Sequence, residues 1–453
     1  MALFYALSIA GQSLLTYQTA INTTNKNISN AFTEGYSREE PIIADLPAKS
    51  GAYIQDIRRV SSKIVLSRLL NANQEAEGLD NYKSVLTQVE DVFNETSGAG
   101  FGEALNQFFA SLNDIAVNPG DIAARYEAIS KAKALVGRIR QSYSFLTDIK
   151  DKTTLGVKDT VEKVNLLTEK LAKINDNIKF YYNSNPERYN EYLDERDRTL
   201  KELSSLIDIK TTFHDDGTVD VSTVKGFGLV LETKSIPLTF ETDGNNNPVI
   251  KTRGVDITSE FQNGKLGGYL KGINLINDTI SRLNTFTTEF ANAINNQQQA
   301  GFDLNGNPGT ALFVADNGTA TVDASNITLG FEDPELIAAS SDPTYPDSNN
   351  ENIKAMIALE DTRIAGLGDK SFAEYYTSEI VTPIGTESSR TDNLISSTTQ
   401  IRDSLQEQLN EISAVNTDEE FINLTKFQRA YQASAKIVSV TDELIQTVLN
   451  MVQ

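Results

Sequence analysis

The chain of 453 residues contains no cysteine, no tryptophan and only one histidine, His214. Without cysteine there can be no disulfide, no thiol nucleophile and no Cys/His metal site, so these classes of function are excluded. Basic residues are also outnumbered by acidic ones, 40 against 62, which gives a net charge of −22. Nucleic acid is therefore not expected as a partner, because its phosphates require lysine and arginine. No apolar run reaches the length of about 18 residues that a membrane span needs, so none is expected.

The sequence also lacks the common catalytic and cofactor motifs, such as a glycine-rich phosphate loop, GxSxG or HExxH. His214, Asp215 and Asp216 could suggest a metal or acid–base site, but Gly217 follows them between two alternating runs, which predicts a hairpin turn. Residues 303–307 have some likeness to a calcium loop, yet the glycine stands at the fourth place rather than the sixth. We therefore predict no enzyme activity, no catalytic residue, no cofactor and no metal.

One cluster of charges could still be taken for a pair of catalytic carboxylates. Asp194 and Asp197 stand close together in a stretch that has the composition of a helix. On a helix such residues more often form a solvent-exposed face, and we expect them to pair with Arg198 and Lys201 at helical spacing.

The two ends of the chain carry the clearest pattern. Residues 417–453 repeat apolar side chains in alternating steps of three and four, without glycine or proline, and residues 3–28 show the same spacing. Such a repeat is typical of helices that pack lengthwise against other helices. Thr417 and Glu420 have the spacing of a capping box at the start of the second helix.

This repeat predicts a set of interface residues, which we call the terminal seam. The alternatives are an ordinary hairpin of two helices within one chain and an interface between subunits, and the position at both chain ends favours the second. We also expect the two ends to order fully only on assembly, because a lone pair has little core. The terminal seam consists of Leu3, Leu7, Leu14, Ile21, Ile28, Phe421, Leu424, Tyr431, Val438, Ile445, Leu449 and Val452.

The rest of the chain is nested between these ends. The predicted fold is mainly α, with a terminal coiled coil, a layer of long helices and a small inserted antiparallel β module. Residues 1–35 and 416–453 would form the coiled coil, and 36–206 with 266–415 a helical domain built from both halves. Residues 207–265 alternate and are rich in threonine and valine, which predicts the β module, with further strands from 312–330.

The end of the first helix, NISNAFTEGYSR from Asn27, resembles the N-terminal motif of the bacterial flagellar rod, hook and axial proteins, usually written Asn-Ala-Asn-Thr-Pro-Gly-Tyr. Phe32 and Glu34 here replace the usual asparagine and proline. The last stretch, from Ala414, is similar to the C-terminal motif of the same family. Internal stretches beginning at Leu105 (LNQFFASLNDIAVNPGDIAAR), Leu193 (LDERDRTLKELSSLIDI) and Asn292 (NAINNQQQAGFDLNGNPGTALF) are most similar to the hook-associated proteins of the hook–filament junction.

The resemblance implies a structural adaptor of the flagellum, exported by the type III system without a cleaved signal peptide and located outside the cell. Its implied partners are further copies of itself in a ring, the hook protein, a second junction protein on the filament side and an export chaperone on the C-terminal helix. A hook or rod subunit, or a secreted wall hydrolase, are the alternatives. Gly35 and Tyr36 would form a turn anchor, Tyr36 being either a surface aromatic or a contact to the next subunit. The large outer β domain of many relatives is expected to be absent.

Overall fold

The computed structural model describes residues 2–45, 51–94 and 100–452, without the side chains of Ala2 and Val452. Helices dominate this part of the chain, so the prediction of a mainly α fold is confirmed. They are α1 Ala2–Ser29, α2 Lys63–Val92, α3 Phe101–Val117, α4 Ile122–Tyr181, α5 Pro186–Leu206, α6 Gly264–Ala300, α7 Glu351–Ala358, α8 Phe372–Tyr375, α9 Thr382–Ser413 and α10 Thr417–Val452. The strands are β1 Glu39–Asp45, β2 Ala52–Arg59, β3 Lys210–Phe213, β4 Val219–Ser222, β5 Gly228–Leu231, β6 Lys234–Ser235, β7 Leu238–Thr242, β8 Pro248–Thr252, β9 Val255–Asp256, β10 Phe313–Ala315 and β11 Ile327–Leu329.

Helix α4, at 60 residues, is the longest element and the frame of the body. It begins where Pro119 and Gly120 end the preceding turn, and the Asp121 carboxylate accepts hydrogen bonds from two N–H groups of its first turn. Its apolar side chains recur at helical spacing from Val157 to Ile178 and are buried. The side of the helix that packs therefore has the 3.6-residue period of an amphipathic helix.

The larger core of the body joins both halves of the chain. Phenylalanine rings from α3, α6, α8 and β10 pack in it, several of them edge to face. Since α3 precedes the β module and α8 follows it, this body cannot form from either half alone. The rings are Phe101, Phe108, Phe109, Phe286, Phe290, Phe313 and Phe372.

The β module consists of two antiparallel sheets, with strand orders β3-β4-β5-β6 and β7-β8-β9. Buried valines and leucines of these strands face a second core shared with α2, α4 and α5. The prediction that strands from 312–330 join this module is wrong, because β10 and β11 pair only with each other. The Asn295 side chain of α6 donates to the carbonyl of Phe313 (2.7 Å) and accepts from its N–H (2.9 Å), which holds β10 at the other core.

Two features of the chain differ in detail from expectation. Residues 36–60, expected to be extended or irregular, contain the extended strands β1 and β2, which pair with each other and pack on α1. The single long helix expected near α9 instead contains a π-helical segment, Tyr376–Val381. Pro383 has no N–H for the carbonyl of Glu379, and the guanidinium of Arg282 donates to that carbonyl instead.

Candidate functional site

The terminal helices form an antiparallel pair that stands apart from the body. The last turn of α1 lies beside the first turn of α10, where Arg38 forms an ion pair with Glu419 at 3.3 Å. Among the described elements, α10 packs almost entirely on α1. The predicted pairing of the chain ends is therefore present within one chain.

The most buried side chains of these two helices are small or polar. On α10 the most buried side chains are Glu420, Ser434 and Thr441. The most buried residues of α1, which also packs on the hairpin, are Ala10, Thr16, Ala20, Thr23, Thr24 and Asn27. Small and polar residues remove little apolar surface from water, so this pair is held weakly for its length.

The terminal seam stays a prediction as an interface between subunits, and within one chain its residues are buried to different degrees. Leu3, Leu7, Leu14, Ile21 and Ile28 are half-buried, as are Leu424, Tyr431, Val438 and Ile445. Phe421 and Leu449, however, are 54% and 60% exposed. Besides Leu424 and Tyr431, the side of α10 that is covered carries Glu420, Phe427, Ser434 and Thr441. The first of these lies one residue before the predicted Phe421. Val452 ends α10, and its side chain lies outside the described residues.

Glu420 accounts for part of this error. The predicted capping box is absent, because the side chain of Asn416 caps α10 by accepting from the N–H groups of Asp418 and Glu419. Glu420 is free to turn toward α1, where it faces Asn27. Its burial raises the pKa of Glu420, and Asn27 and Arg38 offset that rise only in part.

A second apolar face on α10 was not predicted. Ile437, Val440, Leu444, Val448 and Met451 follow one another in steps of three and four and are all exposed. We call these five residues the outer stripe. Phe4, Tyr5 and Leu15 are also exposed on α1. Apolar surface of this extent on a helix commonly marks a site of protein–protein contact.

Residues 30–37, which we call the elbow turn, connect α1 to the hairpin. Gly35 has a φ of +72°, and a Cβ there would overlap the side-chain stem of Arg198, so glycine is required for two reasons. The Tyr36 hydroxyl donates to Oδ1 of Asn27 at 2.7 Å. Burial, followed by the charge of Glu39, raises the pKa of Tyr36, which therefore stays a neutral donor. Tyr36 is thus an anchor within its own chain.

Asn27 is the centre of this arrangement, and apart from its place in the motif no sequence signal pointed to it. Its Nδ2 donates to the carbonyl of Glu39 at 2.8 Å, and its Oδ1 accepts from the N–H of Glu39 at 3.0 Å. With Tyr36 and Glu420 around the same amide, one side chain fixes α1, the elbow turn, β1 and α10 relative to one another.

Beneath the elbow turn lies a buried ion cluster, which contradicts the prediction of a solvent-exposed face on α5. Arg59 binds Asp194 through Nε and Asp197 through a terminal nitrogen, both at 2.6 Å. Arg196 binds the other oxygen of Asp197, and the N–H of Ser37 donates to Asp194 at 3.2 Å. The face is covered because β2 and the turn around Gly217 pack on it. Burial alone would raise the pKa of Asp197, but Arg59 and Arg196 hold it below its ordinary value.

The other candidates of the sequence have structural roles. The predicted hairpin turn is confirmed, since His214 N–H donates to the carbonyl of Thr218 between β3 and β4. The Asp303 carboxylate accepts from the N–H groups of Asn305 and Asn307 and so stabilises its own loop. Over residues 2–45, 51–94 and 100–452, no group of three histidine, aspartate or glutamate side chains could hold a metal. In that same part of the chain, no helix has the length and hydropathy to cross a membrane.

Comparison with known proteins gives a consistent result. Residues 86–313 match the family model described as the flagellar hook-associated protein FlgK helical domain. Residues 406–451 match the model of the flagellar basal body rod FlgEFG protein C-terminal region. These matches cover most of the body and most of α10.

Whole proteins align over nearly the full chain. Flagellar hook-associated protein 1 of Escherichia coli (strain K12) is 24% identical over 536 positions, which cover 96% of this chain and 97% of that protein. Flagellar hook-associated protein 1 of Bacillus subtilis (strain 168) is 25% identical, covering 99% of this chain and 98% of that protein. The solved structure of the flagellar hook junction protein FlgK from Burkholderia pseudomallei shares the fold, with a TM-score of 0.66 and 15% identity over 75% of this chain and 98% of that one.

Proposed function

Since this chain belongs to the flagellar hook-associated protein FlgK family, we propose that it is a structural adaptor that joins the hook of the bacterial flagellum to the filament. In this proposal copies of the chain assemble into a ring through their terminal helices. The match of residues 86–313 to the hook-associated helical domain favours this function over a hook or rod subunit, because the rod-protein model matches only residues 406–451.

The observation that carries the proposal is the outer stripe. Within the chain, α10 contacts α1 through small and polar residues and leaves Ile437, Leu444 and Val448 exposed. Full burial of such a side chain contributes about 1.5–3 kcal/mol, so the exposed stripe retains free energy that becomes available when subunits associate. The terminal helices are therefore suited to complete their packing between chains.

The finer assignments also belong to the proposal. The hook protein and a second junction protein would contact the two ends of the ring. An export chaperone would cover α10 before assembly, because the outer stripe needs protection from aggregation. The chain would leave the cell through the type III system and reside in the flagellum outside it.

Catalysis has no part in this proposal. Asp197 lines the cleft beside the elbow turn, but two arginines hold it and keep its pKa low, so it is a poor general acid. A wall hydrolase would need a second carboxylate poised to give up a proton, and Asp194 is engaged by Arg59 and Ser37.

The test is a strain that lacks this chain. We expect complete hooks without filaments, with flagellin lost to the medium, and restoration by the wild-type chain. Absent hooks would assign the chain to the rod or hook instead. Normal filaments would refute the adaptor function.

A further inference from the structure

Phe32 stands at the tip of the elbow turn with 98% of its side chain exposed, which is rare for a phenylalanine. The turn that carries it is fixed. The N–H of Thr33 donates to the carbonyl of Asn30 at 2.9 Å, and that of Tyr36 to the carbonyl of Thr33 at 3.2 Å. Gly35 and Tyr36 fix the last part of the turn, as described above. The ring is therefore held out in solvent by a rigid backbone.

Beside this turn opens a cavity of about 550 Å³, which we call the elbow cleft. Its apolar part is formed by Leu66, Leu69 and Leu193, which are buried, together with the half-buried Leu409 of α9. The volume lies within the roughly 300–1,000 Å³ of pockets that bind small molecules, so a phenyl ring fits with room to spare. The elbow cleft is thus a socket with an apolar base.

The charges around Phe32 and around the elbow cleft are complementary. Glu34, two residues after Phe32, is exposed in the same turn. The lining of the elbow cleft has an excess of positive charge, because Lys63, Arg198 and Lys201 stand there against Asp215 and the chain's own Glu34, while Arg59 and Arg196 pair with Asp197. Copies of a chain with a net charge of −22 repel each other in general. Attraction between the cations of the cleft and the exposed glutamate of another copy favours the orientation that brings them together. Cations beside a phenyl ring also attract its face.

We propose that Phe32 of one subunit inserts into the elbow cleft of the next copy of this chain. The inference rests on the proposed function, because it requires copies of the chain to be neighbours. The cleft is lined by residues 30–37 of the elbow turn, Phe32 of the same chain included, and by residues 414–415 before α10, so it is continuous with the terminal helices. Phe32 thus lies at the mouth of its own cleft with its side chain in solvent, where the cleft of a neighbouring copy can receive it. Phe32 replaces the asparagine usual in the motif, so the contact is specific to chains with an aromatic residue here.

The absence of cysteine makes this contact directly measurable. Two variants, Phe32→Cys and Asn410→Cys, are produced together in cells that lack the wild-type chain, and isolated hooks are treated with a short bismaleimide. Asn410 is exposed and lines the elbow cleft. A cross-linked dimer containing one chain of each kind is expected. Leu166→Cys, on the exposed side of α4 and outside the cleft, replaces Asn410→Cys as the matched control and should give none.

A second measurement does not depend on cross-linking. Wild-type chain and Phe32→Asn are produced in the same cells, and their ratio is measured in isolated hooks. Loss of one buried ring should lower the association constant, and so the share of the variant, by about tenfold or more. Leu166→Asn removes an equally exposed apolar side chain elsewhere and should be incorporated normally.

Two outcomes would overturn the proposal. Hooks could carry both cysteine variants without the mixed dimer, or Phe32→Asn could be incorporated as well as the wild type. Failure of the proposed function has a different signature, because the chain would then be missing from isolated hooks altogether.

Discussion

Replacing Arg59 with methionine should release the elbow turn from the body, because Arg59 neutralises two buried carboxylates. Its side chain is 7% exposed, and Asp194 and Asp197 are 9% and 13% exposed. After the change Asp197 would keep Arg196, but Asp194 would keep only the N–H of Ser37. Removing one partner of a buried ion pair costs about 3–5 kcal/mol, mostly because the remaining charge is left without compensation. Solvent screening is small at this burial, so we expect a loss in that range.

The neighbouring residue supplies a matched control. Arg58 also pairs with a carboxylate, that of Glu40 at 3.0 Å, but the two side chains are 63% and 48% exposed. Arg58→Met should therefore cost about 0–1 kcal/mol. The double variant Arg59→Met/Asp194→Asn should recover part of the lost stability, because the carboxylate that Arg59→Met leaves unpaired is then removed as well.

Native-state hydrogen exchange is the suitable assay, because a chain with several cores need not unfold in one step. The amide of Ser37 donates to Asp194 and reports directly on opening of the elbow turn. In Arg59→Met the free energy of opening at this amide should fall by about 3–5 kcal/mol, and protection is lost completely if its opening free energy in the wild type is smaller than that. In Arg58→Met it should change little. Equal protection of Ser37 in the two variants would refute the assignment of the ion cluster as the connection between the turn and the body.

Three further predictions concern the terminal helices and their connection. Gly35→Ala should lower the stability of the elbow turn by about 1–2 kcal/mol through its positive φ alone, and unchanged thermal unfolding would contradict this. Ile437→Asp should abolish ring assembly with an unchanged circular dichroism spectrum. Ser439→Asp places the same charge at an exposed polar position and should still assemble. Equal assembly of the two variants would exclude the outer stripe as the contact between subunits. Burial raises the pKa of Glu420 above its ordinary 4.5, so the paired helices bind this proton more tightly than the unfolded chain does. Protection of α10 should therefore increase as the pH falls from about 8 toward 4.5, and Glu420→Gln should reduce that increase; an identical pH profile in the variant would refute it.

The prediction that the chain ends order fully only on assembly stays a prediction. The paired helices of a single chain meet through residues such as Ser434 and Thr441, which is consistent with a weak intramolecular contact. Strong hydrogen-exchange protection of both ends in the dilute monomer would contradict it.

Local features of this protein could be predicted from its sequence. The period of apolar residues located α1 and α10, the turn before Gly217 was recognised from its neighbours, and the motifs at both ends indicated the family. These signals are short-range, because helix periodicity and turn chemistry depend on residues within a few positions of each other.

Which surfaces are buried could be seen only in the tertiary structure. Helix α10 carries apolar residues on more than one face, so periodicity alone could not tell the side that meets α1 from the outer stripe. The polar Glu420, Ser434 and Thr441 were missed for the same reason. Asp194 was expected in solvent because its partner, Arg59, lies 135 residues away in the chain. Burial of a charge depends on which distant groups the fold brings to it, and a pattern of neighbouring residues does not contain that information.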